Sequence, residues 1–159
     1  MPQLSLHSPI GDLTVSEEAD RIVSLDWGWA RDQAETPLLC CARAQLHAYF
    51  DGVPAPFDLP LAPAGTSYRQ RVWSALCRIP RGATPSYAEI AAEVGGSARS
   101  AGQANAANPI PILIPCHRVV ASRRHAGAPG LGGYSGLGGL ATKHWLLELE
   151  QQTRADAAA

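Results

Sequence analysis

Cys116 and His117 stand side by side in the stretch NPIPILIPCHRVV, residues Asn108 to Val120. Pro109, Pro111 and Pro115 fix φ and remove amide donors, so the stretch is neither helix interior nor central strand and predicts a stiff, extended rail. Ile110, Ile112, Leu113 and Ile114 predict that the rail is buried, delivering the thiol to a place partly closed to water. A thiol becomes a strong nucleophile as thiolate, which a neighbouring imidazolium or backbone amides favour. Glu150 offers a third member. It shares a helix face with Leu146 and Leu147 at i+4 and i+3, and a carboxylate on an apolar face needs a partner. Adjacent residues of an extended chain point to opposite faces, so Cys116 and His117 need not touch, and a bridging water is the alternative. These residues leave open acyl transfer, alkyl capture by sulfur and redox chemistry, and also the plainer reading of a buried, inert cysteine.

The chain that must position these groups has 159 residues, 46% of them hydrophobic, enough for one ordinary domain or two small ones. No apolar run reaches the ~18 residues of a membrane span, and Met1 to Ile10 lacks the pattern of a signal peptide, so a cytoplasmic protein is expected. The four cysteines, at 40, 41, 77 and 116, have neither CxxC spacing nor a disulfide-like rhythm. Free thiols in a reducing compartment follow as an expectation. Residues 1–63 carry three Arg and nine Asp or Glu, whereas residues 64–159 carry ten Lys or Arg and five acids. Two modules of opposite sign are expected, and the basic one holds the thiol, which fits a polyanionic partner as well as it fits a solvated basic face.

Within residues 1–63, alternation over Leu4 to Trp29, broken by SPIG and EEAD, predicts two or three short antiparallel strands. Leu38, Cys41, Ala42, Gln45, Leu46, Tyr49 and Phe50 predict one amphipathic helix over Pro37 to Phe50, with Cys40, Cys41 and His47 in or beside its packing. Asp51 to Gly65, rich in proline, reads as an extended surface linker.

Beyond the linker, Thr66 or Ser67 caps a helix that carries Val72, Trp73, Ala75, Leu76 and Ile79 and packs Cys77. Ser86 and Glu89 start a second helix, Gly95-Gly96 stops it, and Ser97 caps a third reaching about Ala107. This is a helix-turn-helix pattern. The third helix, SARSAGQANAA, is nearly all small residues with Arg99 as its one long cation. That suits close approach to a shallow groove with one side chain entering the base stack, or simply tight core packing. Ala121 to Gly139 is glycine-rich and reads as a loop covering a substrate. A helix from Leu140 to Gln151 and a frayed tail over residues 153–159 complete the chain.

PCHRVV after NPIPILI, preceded by VWxxLxxIPxG and SY and followed by GGYSG and KHWLLELE, resembles the O6-alkylguanine-DNA alkyltransferases, the methylated-DNA–protein-cysteine methyltransferases. The likeness is dense over residues 67–150 and looser over residues 1–63, where SPIG and FDLPL carry it. It implies an α+β fold: a small N-terminal α/β unit with an antiparallel sheet (residues 1–63, linker 51–63 included), then a C-terminal winged-helix, helix-turn-helix-type domain (residues 64–152). The implied activity is suicide repair of O6-alkylguanine, with O4-alkylthymine a second substrate, in duplex DNA. It implies no cofactor and no obligate protein partner, the protein acting as a monomer, and since the N-terminal metal ligands of some relatives have no counterpart in this chain, no metal is expected.

Carried over to this chain, the resemblance makes Cys116 the alkyl acceptor, His117 its base through a water, Glu150 the group orienting His117, and Asn108 the brace of the turn. Tyr87 donates toward N3 of the leaving guanine, the Ser135 amide approaches O6 beside Tyr134, and the Cys116 and Val119 carbonyls accept from the exocyclic amine. Arg99 fills the place of the flipped base, Ala98, Ser100 and Gly102 face the minor groove, and Arg118, Arg123 and Arg124 add cations toward the phosphates. The chain departs from the family pattern in a longer loop over Ala121 to Gly133, an inserted Leu137-Gly138, and Asn105-Ala106 where bulkier or basic residues are usual. A lesion-binding module without transfer and a cysteine hydrolase are the rival functions.

Overall fold

Alternating apolar residues bury one face of each N-terminal strand: Leu4 and Leu6, Leu13 and Val15, Ile22 and Leu25. A computed structural model describes residues 1–121 and 131–158. Strands β1 (Gln3–Leu6), β2 (Leu13–Glu18) and β3 (Arg21–Trp27) form one antiparallel sheet in that order, with Leu6 opposite Leu13 and Val15 opposite Leu25. Ala19 and Asp20, with φ of 51° and 61°, make the two-residue turn whose twist suits the β2–β3 hairpin.

Helix α1 (Pro37–Phe50) begins where the Thr36 side chain accepts the Leu39 amide. Its buried stripe is Leu39, Ala42, Leu46 and Tyr49, so Ala42, Leu46 and Tyr49 fall where expected, and Leu39 takes the place expected for Leu38, Cys41 and Gln45. Burying Leu39 avoids enclosing the Gln45 amide, and Cys41 and His47 are exposed. The linker is extended but is more than a surface tether. Ile22 N donates to Pro60 O and Ala62 N to Ile22 O, each at 2.8 Å, so Leu61 covers the outer edge of β3. Pro60 and Pro63 lack the amides that would extend the pairing.

In the helical part, α2 (Ser67–Cys77) is capped by Thr66 and buries Val72, Trp73, Ala75 and Leu76. Trp73 Nε1 donates to Ala104 O at 2.8 Å, tying α2 to α4. Cys77, expected to pack, is exposed, because it lies off that stripe in the last turn. Helices α3 (Tyr87–Val94) and α4 (Ala98–Ala106) start at the Ser86 and Ser97 caps. Helix α5 (Leu140–Ala158) runs on through the residues expected to fray. Gln151 Nε2 donates to Gly82 O at 2.7 Å and Arg81 Nε to Thr153 Oγ1 at 2.8 Å, and no Gly or Pro interrupts the segment. Sheet, α1 and helical part share one apolar core, and Leu25 N donates to Pro109 O at 3.0 Å, so β3 holds the start of the thiol-bearing segment directly.

The α3–α4 turn depends on Gly96. Its φ is +84°, and a Cβ there would lie 2.6 Å from Ser100 Oγ and 2.7 Å from Tyr68 Oη. Gly96→Ala is expected to destabilise the chain by at least about 1 kcal/mol in denaturant titration.

Candidate active site

The segment from Asn108 to Val120 is not an extended rail. Ile112 has φ of 73°, and the bonds Ile114 N to Ile110 O and Leu113 N to Pro111 O, both 2.9 Å, fold the segment into a compact turn. A β-branched residue in that region costs on the order of 1–3 kcal/mol. Asn108 helps to hold it: its Oδ1 accepts from Ile110 N at 2.9 Å and its Nδ2 donates to Ile114 O at 2.8 Å. Burial of Ile110, Ile112 and Ile114 supplies the rest. Cys116–Arg118 then forms a short turn of 3-10 helix, so the alternation of an extended strand does not govern where Cys116 and His117 point.

His117 and Glu150 have no exposed surface. His117 Nε2 lies 2.7 Å from Glu150 Oε2. Arg118 donates from Nε to Oε1 at 2.8 Å and from Nη2 to Oε2 at 3.1 Å, and Tyr49 Oη donates to Oε2 at 2.6 Å. Burial alone would raise the Glu150 carboxyl, but the charges and hydrogen bonds of His117 and Arg118 outweigh it and hold the group well below the usual carboxylate range. An ionised carboxylate only accepts. His117 therefore carries its proton on Nε2, which leaves the lone pair on Nδ1, an atom without a hydrogen-bond partner among the described residues.

Burial lowers the imidazole against the pull of Glu150, and it pushes the Cys116 thiol up to about 11, against the Asn108 side chain, Lys143 and the local amides. The resting pair is thus a thiol and a neutral imidazole, with the groups that favour a thiolate already in place. Arg118, expected against DNA, turns inward instead. Its guanidinium is occupied by Glu150 and by Ile79 O at 2.7 Å.

A cavity of about 390 Å³ opens onto the thiol, lined by Tyr87, Gly102, Asn105, Ala106, Cys116, Gly133, Tyr134 and Ser135. That volume is within the range of small-molecule sites. Gly132, with φ of +73°, lets the loop pass Tyr87, since a Cβ would sit 2.7 Å from the phenol oxygen. Asn105 Nδ2 donates to Cys116 O at 3.2 Å, while Asn105 Oδ1 and Tyr134 Oη are buried without partners among the described residues. Such unpaired groups cost about 1–3 kcal/mol each, and their gathering at one pocket marks a site built for something other than stability.

The expected residues thus fall into groups. Cys116, Tyr87, Gly102, Tyr134 and Ser135 line one cavity, while Asn108 braces the segment that carries Cys116 and His117 pairs with Glu150 in the interior. Arg99 and Ala98 are exposed at the start of α4, and Ser100 is engaged in the helix cap and with Tyr68 Oη at 2.9 Å. Arg123 and Arg124 lie outside the described residues. Val119 O accepts from Lys143 Nζ at 2.6 Å.

Two participants escaped the sequence reading. Lys143 is fully buried, donates also to Gly133 O at 3.0 Å, and is lowered to about 8 by burial despite Cys116. It lies seven residues before Glu150, on the same helix stripe, which was a readable signal. Tyr49 is the other, and its only hint was a phenol on an apolar stripe, where the hydroxyl needs a partner.

Residues 67–152 match the model of the 6-O-methylguanine DNA methyltransferase DNA binding domain, and residues 4–63 match that of the ribonuclease-like domain of the same methyltransferases. The chain belongs to the O6-methylguanine DNA methyltransferase family. Among relatives of this family, the constitutive methylated-DNA–protein-cysteine methyltransferase of Bacillus subtilis (strain 168) is 44% identical over 142 residues, 81% of this chain and 83% of the relative. The methylated-DNA–protein-cysteine methyltransferase of Methanosarcina barkeri is 40% identical over 92% of this chain and 94% of its own. The crystal structure of Mycobacterium tuberculosis OGT in complex with DNA superposes with a TM-score of 0.82 at 39% identity, covering 96% of this chain and 94% of that one.

Among the described residues, Lys143 is the cation whose charge favours the Cys116 thiolate. Lys143→Met is therefore expected to raise the apparent pKa of the Cys116 thiol, read by thiolate absorbance in a chain whose other cysteines are serine. An unchanged titration would contradict this.

Proposed function

We propose that Cys116 is the alkyl acceptor through which this methylated-DNA–protein-cysteine methyltransferase repairs O6-methylguanine in DNA. One observation carries the assignment. Cys116 lines a base-sized cavity, and the next residue, His117, is fully buried and paired with Glu150. The thiol proton passes toward Nδ1 of His117 through a water, and the sulfur attacks the methyl carbon in line with O6. The S–C bond forms as the C–O bond breaks. Negative charge released onto the guanine is met by the Tyr87 hydroxyl at N3 and the Ser135 amide at O6, and the base regains its N1 proton. The thioether has no route back, so each molecule acts once.

The DNA complex of the Mycobacterium tuberculosis relative supports binding of duplex DNA by this chain. A base in the stack is out of reach of a buried thiol, so the damaged guanine is flipped into the cavity. Arg99 enters the stack in its place, while Ala98 and Gly102 leave room for the minor groove wall. Arg123 and Arg124 add charge toward the phosphates.

Duplex DNA carrying isotopically labelled O6-methylguanine tests the proposal. One label per molecule, on Cys116, is expected. Repeated turnover would point to a hydrolase, and binding without transfer to a lesion-recognition module. Cys116→Ser is expected to abolish transfer while keeping DNA affinity. Arg99→Ala is expected to slow repair of duplex DNA by at least about tenfold more than reaction with free O6-benzylguanine, and equal losses would remove Arg99 from the flipping step.

A further inference from the structure

We infer that Tyr49, a residue of the N-terminal unit, is a positioning residue of the relay, its phenol setting the basicity of His117 through the carboxylate they share. The inference rests on the His117–Glu150 relay proposed above.

Tyr49 lies in the last turn of α1, 101 positions before Glu150, yet its Oη is 2.6 Å from Oε2, the same oxygen that receives His117 Nε2 at 2.7 Å. Arg118 Nη2 also reaches this oxygen, at 3.1 Å, and donors that share one carboxylate oxygen compete for its electron density. Each bond that Tyr49 makes stronger leaves less for the imidazole, so the phenol holds down the proton affinity of His117. The phenol is itself fixed. Its ring is buried, the Arg81 guanidinium lies 4.9 Å from the ring centroid, and Arg81 is anchored to Thr153 Oγ1 on α5.

The charged and titratable groups around the carboxylate are Tyr49 from α1, Arg81 from the turn after α2, and His117 and Arg118 from the 3-10 turn, and the charge of Lys143 also acts on the imidazole. Of the groups bonded to the carboxylate, Arg118 is charged, while Tyr49 and the neutral His117 are not. Tyr49 is therefore the partner, apart from the base itself, whose loss alters the hydrogen bonding of Oε2 without removing an ion. A phenol serving only the core would be indifferent to which acceptor it met. This one ends on the atom that orients the base.

The sign follows from the shared oxygen. Tyr49→Phe keeps the ring under Arg81 and removes only the donor, so Glu150 binds the imidazolium better. The acid limb of the pH profile for reaction with free O6-benzylguanine is expected to move to higher pH by about half a unit. Replacing Tyr49 by 3-fluorotyrosine, a more acidic phenol of nearly the same shape, is expected to move it to lower pH.

Glu150→Gln provides the background that separates this inference from the relay beneath it. In that background Tyr49→Phe is expected to add less than about twofold to the loss, because the carboxylate charge that couples the phenol to the imidazole is gone. An unchanged profile in both Tyr49 variants, or effects of Tyr49→Phe and Glu150→Gln that simply add, would overturn the inference. A Glu150→Gln chain with wild-type rate and profile would overturn the relay itself. Should Tyr49→Phe fold poorly, the fluorotyrosine chain, which keeps every contact, decides by the direction of its shift.

Discussion

The Glu150 carboxylate is the interaction on which the molecule closes. It receives hydrogen bonds from α1 through Tyr49 and from the thiol-bearing turn through His117 and Arg118, and it is itself carried by α5. A buried charge with no such company would be driven to its neutral form, and a neutral acid would lose its hold on all three partners. Because every donor is present, the carboxyl stays ionised. The polar centre thereby joins three elements distant in sequence, and it fixes the tautomer of the imidazole that stands beside the thiol.

Around this centre the chain keeps arrangements that a purely structural protein would shed. Ile112 sits in the left-handed region, and Asn105 Oδ1, His117 Nδ1 and Tyr134 Oη are buried without partners, among the described residues. Each is locally unfavourable, and they cluster within one segment and the pocket before it. The proline-fixed turn gives the reason the strain persists. With Asn108 bonded at both ends of the turn and β3 holding Pro109, the backbone beneath Cys116 has few alternatives, so the sulfur is placed before any substrate arrives. The N-terminal unit contributes twice to this rigidity, once through Leu25 and once through Tyr49.

Local signals were legible in the sequence and long-range ones were not. The Thr66, Ser86 and Ser97 caps follow from short-range hydrogen bonding, and the three strands follow from alternation. Cys116, His117 and Glu150 were readable because a thiol, an imidazole and an acid on apolar faces each demand a partner. The extended rail was wrong because proline excludes helix without imposing extension, and Asn108 closes a turn that composition does not reveal. Arg118 was misplaced for a related reason: nothing local says whether a guanidinium faces phosphate or a buried carboxylate. Tyr49 stayed hidden because a tyrosine on a core stripe usually packs, and its acceptor lies more than a hundred residues away.

The relay depends on His117 resting as a neutral imidazole with its proton on Nε2 and an open lone pair on Nδ1. Nitrogen NMR of the imidazole in the full, unalkylated chain near neutral pH observes this state directly. The expected spectrum has a protonated Nε2 bonded to Glu150 and an unprotonated Nδ1. A proton found on Nδ1 with Nε2 bare, or an imidazolium at that pH, would contradict it.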